Sequence, residues 1–170
     1  MTVLVPKDAG IAVVQGAVVF GRQPGNITSR ILRYSYGTQL NVPFVQGVHE
    51  PHRLNTIAGV DRCQGVFGKF IDIGTSVEVG HTVSRGYTST TPNSTSIEIA
   101  VFTADDTNPD PKYTDERGCK PLPPLSVYIP QMPELQSISV DYIFGDTVLH
   151  IKARDEKTKT PCEARLTLIE

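Results

Sequence analysis

With 170 residues, 39% of them hydrophobic, and a formal net charge of -2, the chain can bury one core without a disulfide or metal staple. Its basic residues are scattered, which argues against the charge-driven binding of a nucleic-acid protein or a polybasic membrane anchor. No apolar run is long enough to span a bilayer, and Pro6, Lys7 and Asp8 interrupt the apolar N-terminal stretch where a secretion signal would lie.

The first expected element is a helix from Ala9 to Phe20, where Ala9, Ala12, Val13, Gly16, Ala17 and Phe20 recur at steps of three and four. This face is made mostly of small residues, which predicts close approach to a neighbour. Asp8 is placed to cap its start, Pro6 lies just ahead, and Gly21 with Pro24 closes it.

Everything after Ile27 reads as β structure. Strands are expected over Ile31 to Leu40, Val66 to Ile73, Val83 to Thr88 and Leu122 to Ile129. In the run from Ser96 to Phe102, Ile97, Ile99 and Val101 alternate as one half-buried strand requires. Ile138, Val140 and Tyr142 alternate next, then Leu149, Ile151 and Ala153, then Ala164, Leu166 and Leu168. These are expected to be consecutive hairpin strands, with a tight reversal at Phe144-Gly145-Asp146-Thr147 and a looser one from Asp155 to Pro161. Short strands joined by Gly- and Pro-rich turns predict an antiparallel sandwich rather than a parallel sheet. Val45 to Gln64 and the proline- and acid-rich Ala104 to Pro124 read as long irregular loops, mobile or functional.

Catalytic and metal signatures are sparse. His49-Glu50-Pro51-His52 places two imidazoles three residues apart around a proline, which forbids a helical zinc face, and no third ligand follows nearby. His81 stands alone, and His150 falls opposite Leu149 and Ile151 at a solvated strand position. There is no Gly-x-Ser-x-Gly elbow, and Cys63 beside Arg62 has no identifiable base. Asp105-Asp106 and Asp115-Glu116 read as a solvated charge cluster rather than a general acid and base. Cys63, Cys119 and Cys162 are odd in number and widely spaced, which predicts a reducing compartment, the cytoplasm. The sequons at Asn26 and Asn93 matter only in a secreted protein and are set aside.

Asp72-Ile73-Gly74-Thr75-Ser76 is similar to the phosphate-gripping turn that opens the ATPase lobe of actin-like and heat-shock proteins. Such a lobe needs a second phosphate loop, metal-organising acids and a Gly-rich adenine loop downstream, and only short strands follow here. The plainer expectation is a strand ending at Ile73 and turning at Gly74.

The order of segments carries a stronger resemblance. Val5 to Gly21, with its Pro-Lys-Asp-Ala-Gly-Ile-Ala start running into Gly-Ala-Val-Val, resembles the last helix of the heat shock 70 kDa ATPase domain. Ile31 to Gly37 resembles the interdomain linker entering the first strand of that family's peptide-binding β domain. Ile138 to Tyr142 and Gly145 to Thr158 are similar to that domain's final hairpin. Cys63 to Phe70, Val83 to Tyr87 and Ile143 to Thr147 resemble the divergent heat shock 70 kDa protein 12-like branch.

The resemblance implies residues 1–26 as the end of a nucleotide-binding domain, 27–34 as a linker, and 35–170 as a mainly β, antiparallel sandwich. Because the phosphate and adenine loops would precede Met1, the chain is expected to be a truncated, non-catalytic portion, with ATP bound only in full-length relatives. No helical lid is expected after Glu170. The implied partners are unfolded or extended polypeptide clients, with room for co-chaperones, and neither nucleic acid nor membrane. The implied peptide site is Thr38, Leu40, Asn41, Tyr87, Thr90, Ile97, Ile99 and Ile138, with Asn41 and Thr90 arching over the client and Ile99→Asp expected to abolish capture. Thr38, Asn41, Tyr87 and Thr90 make it more polar than the usual chaperone floor. Four backbone hydrogen bonds and one buried leucine amount to roughly 6 to 7 kcal/mol before ordering costs, which is weaker than micromolar binding. The rival expectation is a β-sandwich that binds protein partners through its loops, with no groove and no catalysis.

Overall fold

Ile138, Val140, Tyr142 and Phe144 are all fully buried while their neighbours along the strand are half-buried, as a period of two dictates when one face of a strand meets a core. A computed structural model describes residues 9–22, 28–145 and 148–167. It shows one helix followed by strands whose ladders are all antiparallel, so the chain is mainly β as expected.

Helix α1, Ala9–Arg22, runs two residues beyond the expected end. Of the small-residue face only Gly16 and Ala17 have described side-chain positions, and neither makes the expected close approach. Gly16 and Ala17 are exposed, a Cβ at Gly16 would meet nothing within 4 Å, and Ile11, Val14 and Val18 are 54 to 61% exposed. Its spacing gives a helix, and at these described positions its side chains are exposed. Among the described residues no helix is long and apolar enough to cross a membrane. Asp8, Pro6 and Pro24, named as its signals, lie outside the described residues.

Strands β1 (Ser29–Ile31), β2 (Ser35–Pro43), β3 (Leu54–Ile57), β4 (Val60–Ile71) and β5 (Ser76–Glu78) come first. Then follow β6 (His81–Thr88), β7 (Ser96–Ile99), β8 (Val101–Ala104), β9 (Cys119–Pro121) and β10 (Leu125–Tyr128). Strands β11 (Ser137–Phe144), β12 (Val148–Asp155) and β13 (Pro161–Thr167) close the chain. One sheet has the order β3-β4-β2-β8-β9 and another β13-β12-β11-β6, with two ribbons, β1-β5 and β7-β10. A single hydrophobic core draws on both large sheets. Phe70 of β4 stacks on Tyr142 of β11 with ring centroids 4.3 Å apart, and Tyr36 of β2 meets Phe144 edge-on at 5.7 Å. The consecutive hairpins β11-β12-β13 form as expected. The first is closed by Gly145 N–H donating to the Val148 carbonyl at 2.9 Å, while Asp146, Thr147 and the side chains of Ala164, Leu166 and Leu168 lie outside the described residues.

Four expectations need correction. Val45 to Gln64 is not irregular. It holds a 3-10 turn at Pro51–Arg53 and the β3-β4 hairpin, reversed by Ala58 and Gly59 at φ 49° and 77°, the two positive values of a two-residue hairpin turn. Nor is Ser96 to Phe102 one strand. It breaks at Ala100, and β7 pairs with β10 while β8 pairs with β2. The loop after Ala104 is fastened rather than mobile: Phe67 N–H donates to the Lys112 carbonyl at 2.9 Å, and Thr114 N–H to the Gly65 carbonyl at 2.8 Å. Its buried Tyr113 lies under the Arg53 guanidinium, 3.7 Å from the ring centroid. Finally, β4 ends at Ile71 rather than Ile73, although the turn at Gly74, φ 79°, is where it was expected.

Segment 28–34 is fastened to the sheets rather than free in solvent. Leu32 is buried, its N–H donates to the Thr75 carbonyl at 2.9 Å, and Gly74 N–H donates back to the Leu32 carbonyl at 2.8 Å. The Asp72 to Ser76 stretch therefore receives the incoming chain. Asp72 itself pairs with Lys69 at 2.6 Å.

Close approach within the larger sheet depends on glycine at Gly37, where an added Cβ would fall 2.5 Å from the Phe67 ring and 3.0 Å from the Gly68 carbonyl oxygen. Gly37→Ala is expected to lower stability by about 1 to 3 kcal/mol, as overpacking of a filled site does, read as a drop in the urea midpoint with an unchanged slope.

Candidate functional site

Strand β2 pairs with β8 only from Ser35 to Thr38, and Gln39 N–H makes a last bond to the Ala100 carbonyl at 3.0 Å. Beyond that point β7 turns away to pair with β10, and among the described residues no strand borders this edge of β2. The separation opens a cleft of about 480 Å³ between Gln39–Pro43, the end of β6 with the following Ser89 and Thr90, and β7. That is the size of a small-ligand or side-chain pocket.

Six of the eight residues expected to form a peptide site line it: Leu40, Asn41, Tyr87, Thr90, Ile97 and Ile99. The other two lie beneath. Thr38 Oγ1 and the Tyr87 hydroxyl are 3.0 Å apart, the Tyr87 and Tyr142 hydroxyls 2.8 Å, and Ile138 is fully buried opposite Tyr87 in the β11-β6 register. Burial pushes both phenols up, so both stay protonated and the three hydroxyls can share their protons along one chain. Ile99 serves the cleft and the core together and is only 3% exposed.

The rim is held from below. Ser89 N–H donates to the Gln136 carbonyl at 2.8 Å, Gln136 N–H donates to Ser89 Oγ at 3.0 Å, and Gln136 Nε2 reaches the Ser94 carbonyl at 3.3 Å. Thr91 and Ser94 close the small loop between them, with hydroxyl oxygens 2.9 Å apart. Gln136 was missed from the sequence. An isolated polar residue before a strand gives no sign that it will be 1% exposed and anchor a loop over forty residues upstream.

Arg62 was also missed as a lining residue. Between the pairs Leu40↔Val66 and Val42↔Cys63, Asn41 of β2 faces two residues of β4, Gln64 and Gly65. Gly65 takes φ 75°, as a bulge of this kind needs. Beside this bulge Arg62 Nη1 donates to the Asn41 carbonyl at 3.1 Å. Arg62 Nε and Asn41 Oδ1 are buried without hydrogen-bond partners.

The other candidates are absorbed into structure. His49 Nδ1 accepts from Val45 N–H at 3.0 Å, His52 lies 3.5 Å from Glu50, and the described residues contain no group of three or more metal-type ligands. Cys63 is fully buried, with its Sγ 3.8 Å from the Gln64 carbonyl. The acidic pairs are not simply solvated, which corrects that expectation. Asp105 accepts from Thr107, and Asp115 pairs with Arg53 at 2.9 Å, which holds the carboxyl below its usual range. Glu116 accepts from Lys112 N–H at 3.1 Å, Tyr113 N–H at 2.9 Å and Asn108 at 2.9 Å. A smaller cavity of about 220 Å³, bordered by β1, Tyr36 and β9, contains none of the expected site residues.

No family profile matches the chain. Over 164 residues it is 30% identical to heat shock 70 kDa protein 12A of Mus musculus and to that of Homo sapiens, an alignment covering 92% of this chain and 24% of each relative. It is 27% identical over 179 residues to heat shock 70 kDa protein 12B of Homo sapiens, covering 99% of this chain and 26% of that protein. The chain thus spans about a quarter of the length of the curated relatives it matches. By sequence it is a homologue of the heat shock 70 kDa protein 12 proteins, and so a divergent relative of the heat shock 70 kDa family.

Proposed function

We propose that residues 35–170 are a β-sandwich of the kind that binds peptides in heat shock 70 kDa chaperones, and that the cleft between β2, β6 and β7 holds an extended polypeptide segment. One observation carries this reading: six residues nominated by resemblance, from segments far apart in sequence, line a single cleft. The cleft also offers what an extended client needs. Among the described residues no strand lies beside the β2 edge beyond Gln39, and Leu40, Ile97 and Ile99 supply an apolar patch for one side chain.

In this reading residues 1–26, with α1, belong to the end of a nucleotide-binding domain, and 27–34 form the linker. ATP coupling belongs to the regions of the relatives that this chain does not match. The chain itself acts without catalysis or cofactor on unfolded or extended clients in the cytoplasm, with co-chaperones as further partners.

The test is fluorescence anisotropy with short leucine-centred peptides. Because Ile99 sits in the core, Ile99→Asp would report unfolding, and Ile97→Asp, at a half-buried cleft position, is the informative change. Binding weaker than micromolar is expected for the native chain, with about a tenfold loss in Ile97→Asp from forfeited apolar contact. A folded native chain that ignores every peptide overturns the proposal and leaves a module that binds partners through its loops.

A further inference from the structure

Resting on the peptide-binding reading, we infer that Arg62 makes the cleft selective for extended segments that carry a carboxylate side chain, Asp or Glu, next to their apolar residue. Arg62 lines the cleft from β4, and its one hydrogen bond runs from Nη1 to a neutral acceptor, the Asn41 carbonyl, at 3.1 Å. None of the ion pairs among the described residues includes it, and its Nε is buried with no acceptor.

A guanidinium presents five donors in a fixed plane and does not lose its charge, so a half-buried one lacking a counter-ion leaves both a donor and a charge to be satisfied. A carboxylate supplies the missing counter-charge and accepts charge-assisted hydrogen bonds from the guanidinium donors that are not enclosed. A lysine-bearing client would bring a second cation to the same wall and be repelled. Adjacent Asp61 makes no ion pair with Arg62, and its Oδ1 instead accepts from Thr56 Oγ1 at 2.6 Å across the β3-β4 hairpin.

Glu98 is the one carboxylate among the lining residues. It is exposed on β7 and makes no ion pair with Arg62. The cleft therefore has a cationic wall at β4 and an anionic one at β7, and the cation is the more buried. Beside Arg62, the unpartnered Asn41 Oδ1 is buried, so a client backbone N–H reaches it only when the Asn41 side chain turns into the cleft.

Three labelled peptides of identical length separate the possibilities, each with a central leucine flanked by glutamate, lysine or serine, titrated against the native chain and Arg62→Gln at low salt. The expected result is about tenfold tighter binding of the glutamate peptide than of the lysine peptide, the range of a charge-assisted pair in a partly buried site. Arg62→Gln should reduce that ratio to about twofold or less, and a cooperative urea transition like that of the native chain shows that the variant is folded. Arg62→Lys should keep the glutamate preference in part, since it retains the charge without the fork. Equal affinity for all three peptides, a preference for lysine, or a glutamate preference that survives Arg62→Gln overturns the assignment. Failure of even the serine peptide to bind the native chain removes the peptide-binding reading, and this inference with it.

Discussion

Tyr142→Ala is expected to cost about 3 to 5 kcal/mol, the loss seen when a large buried aromatic is truncated. That is a large share of the roughly 5 to 15 kcal/mol that holds a domain folded. Tyr142 is 0% exposed on the central strand β11, and its ring stacks on Phe70 from the other large sheet at an interplanar angle of 18°. Truncation therefore opens a cavity between the two sheets rather than at one surface. Tyr142→Phe separates the ring from its hydroxyl. It keeps the stack and removes one partner of Tyr87, whose hydroxyl still reaches Thr38 at 3.0 Å. The expected cost is about 0.5 to 1.5 kcal/mol. Thermal and urea unfolding should place the two variants far apart. Because Tyr87 lines the cleft, the phenylalanine variant should also bind peptide more weakly while remaining folded.

The alternation of Ile138 to Phe144 and of Leu149 to Ala153 was legible because each strand carries its own period and each hairpin is local in sequence. Most strands outside these hairpins were legible only in part. Ile97, Ile99 and Val101 keep their alternation straight through Ala100, so nothing in the run marks the point where the chain leaves one sheet for another. That departure is set by which partner each half meets, β10 or β2, and both lie far along the chain. The short strands β1, β5 and β9 gave no period to read, each being three residues long.

The cleft was nominated through resemblance, not through pattern, and its polar parts show why pattern fell short. Arg62 reaches Asn41 beside a bulge whose marker is a single glycine at positive φ, Gly65. A glycine between Gln64 and Val66 in the sequence could equally be a turn or a packing contact. Arg53 likewise looked like one more basic residue in a loop. Its role is to bridge Glu50 and Asp115 and cover Tyr113, which fastens a loop that was expected to be mobile or functional.

Asp155 is the second large determinant of stability, and its effect depends on pH. The carboxyl is only 3% exposed, and Oδ1 accepts from Lys157 N–H at 2.9 Å, from Thr158 N–H at 2.5 Å and from the Thr158 hydroxyl at 2.9 Å. These bonds favour the charged form, chiefly the backbone bond from Thr158, and hold the carboxyl below its usual range. Asp155→Ala removes three donors' partner at the β12-β13 turn and is expected to cost about 2 to 3 kcal/mol, the scale for hydrogen bonds to a charged group. Because the folded-state pKa is depressed, the stabilisation is fully present above the unfolded value of about 3.9 and drains away as pH falls through the folded-state value. The native chain should therefore keep its urea midpoint down to about pH 4 and lose it below. Asp155→Asn keeps an acceptor oxygen without the charge, so it should start lower at pH 7 and show a shallower decline below pH 4. If the native chain and Asp155→Asn decline in parallel through that range, the acid limb belongs to other carboxylates, and Asp155 serves the turn only as a neutral acceptor would.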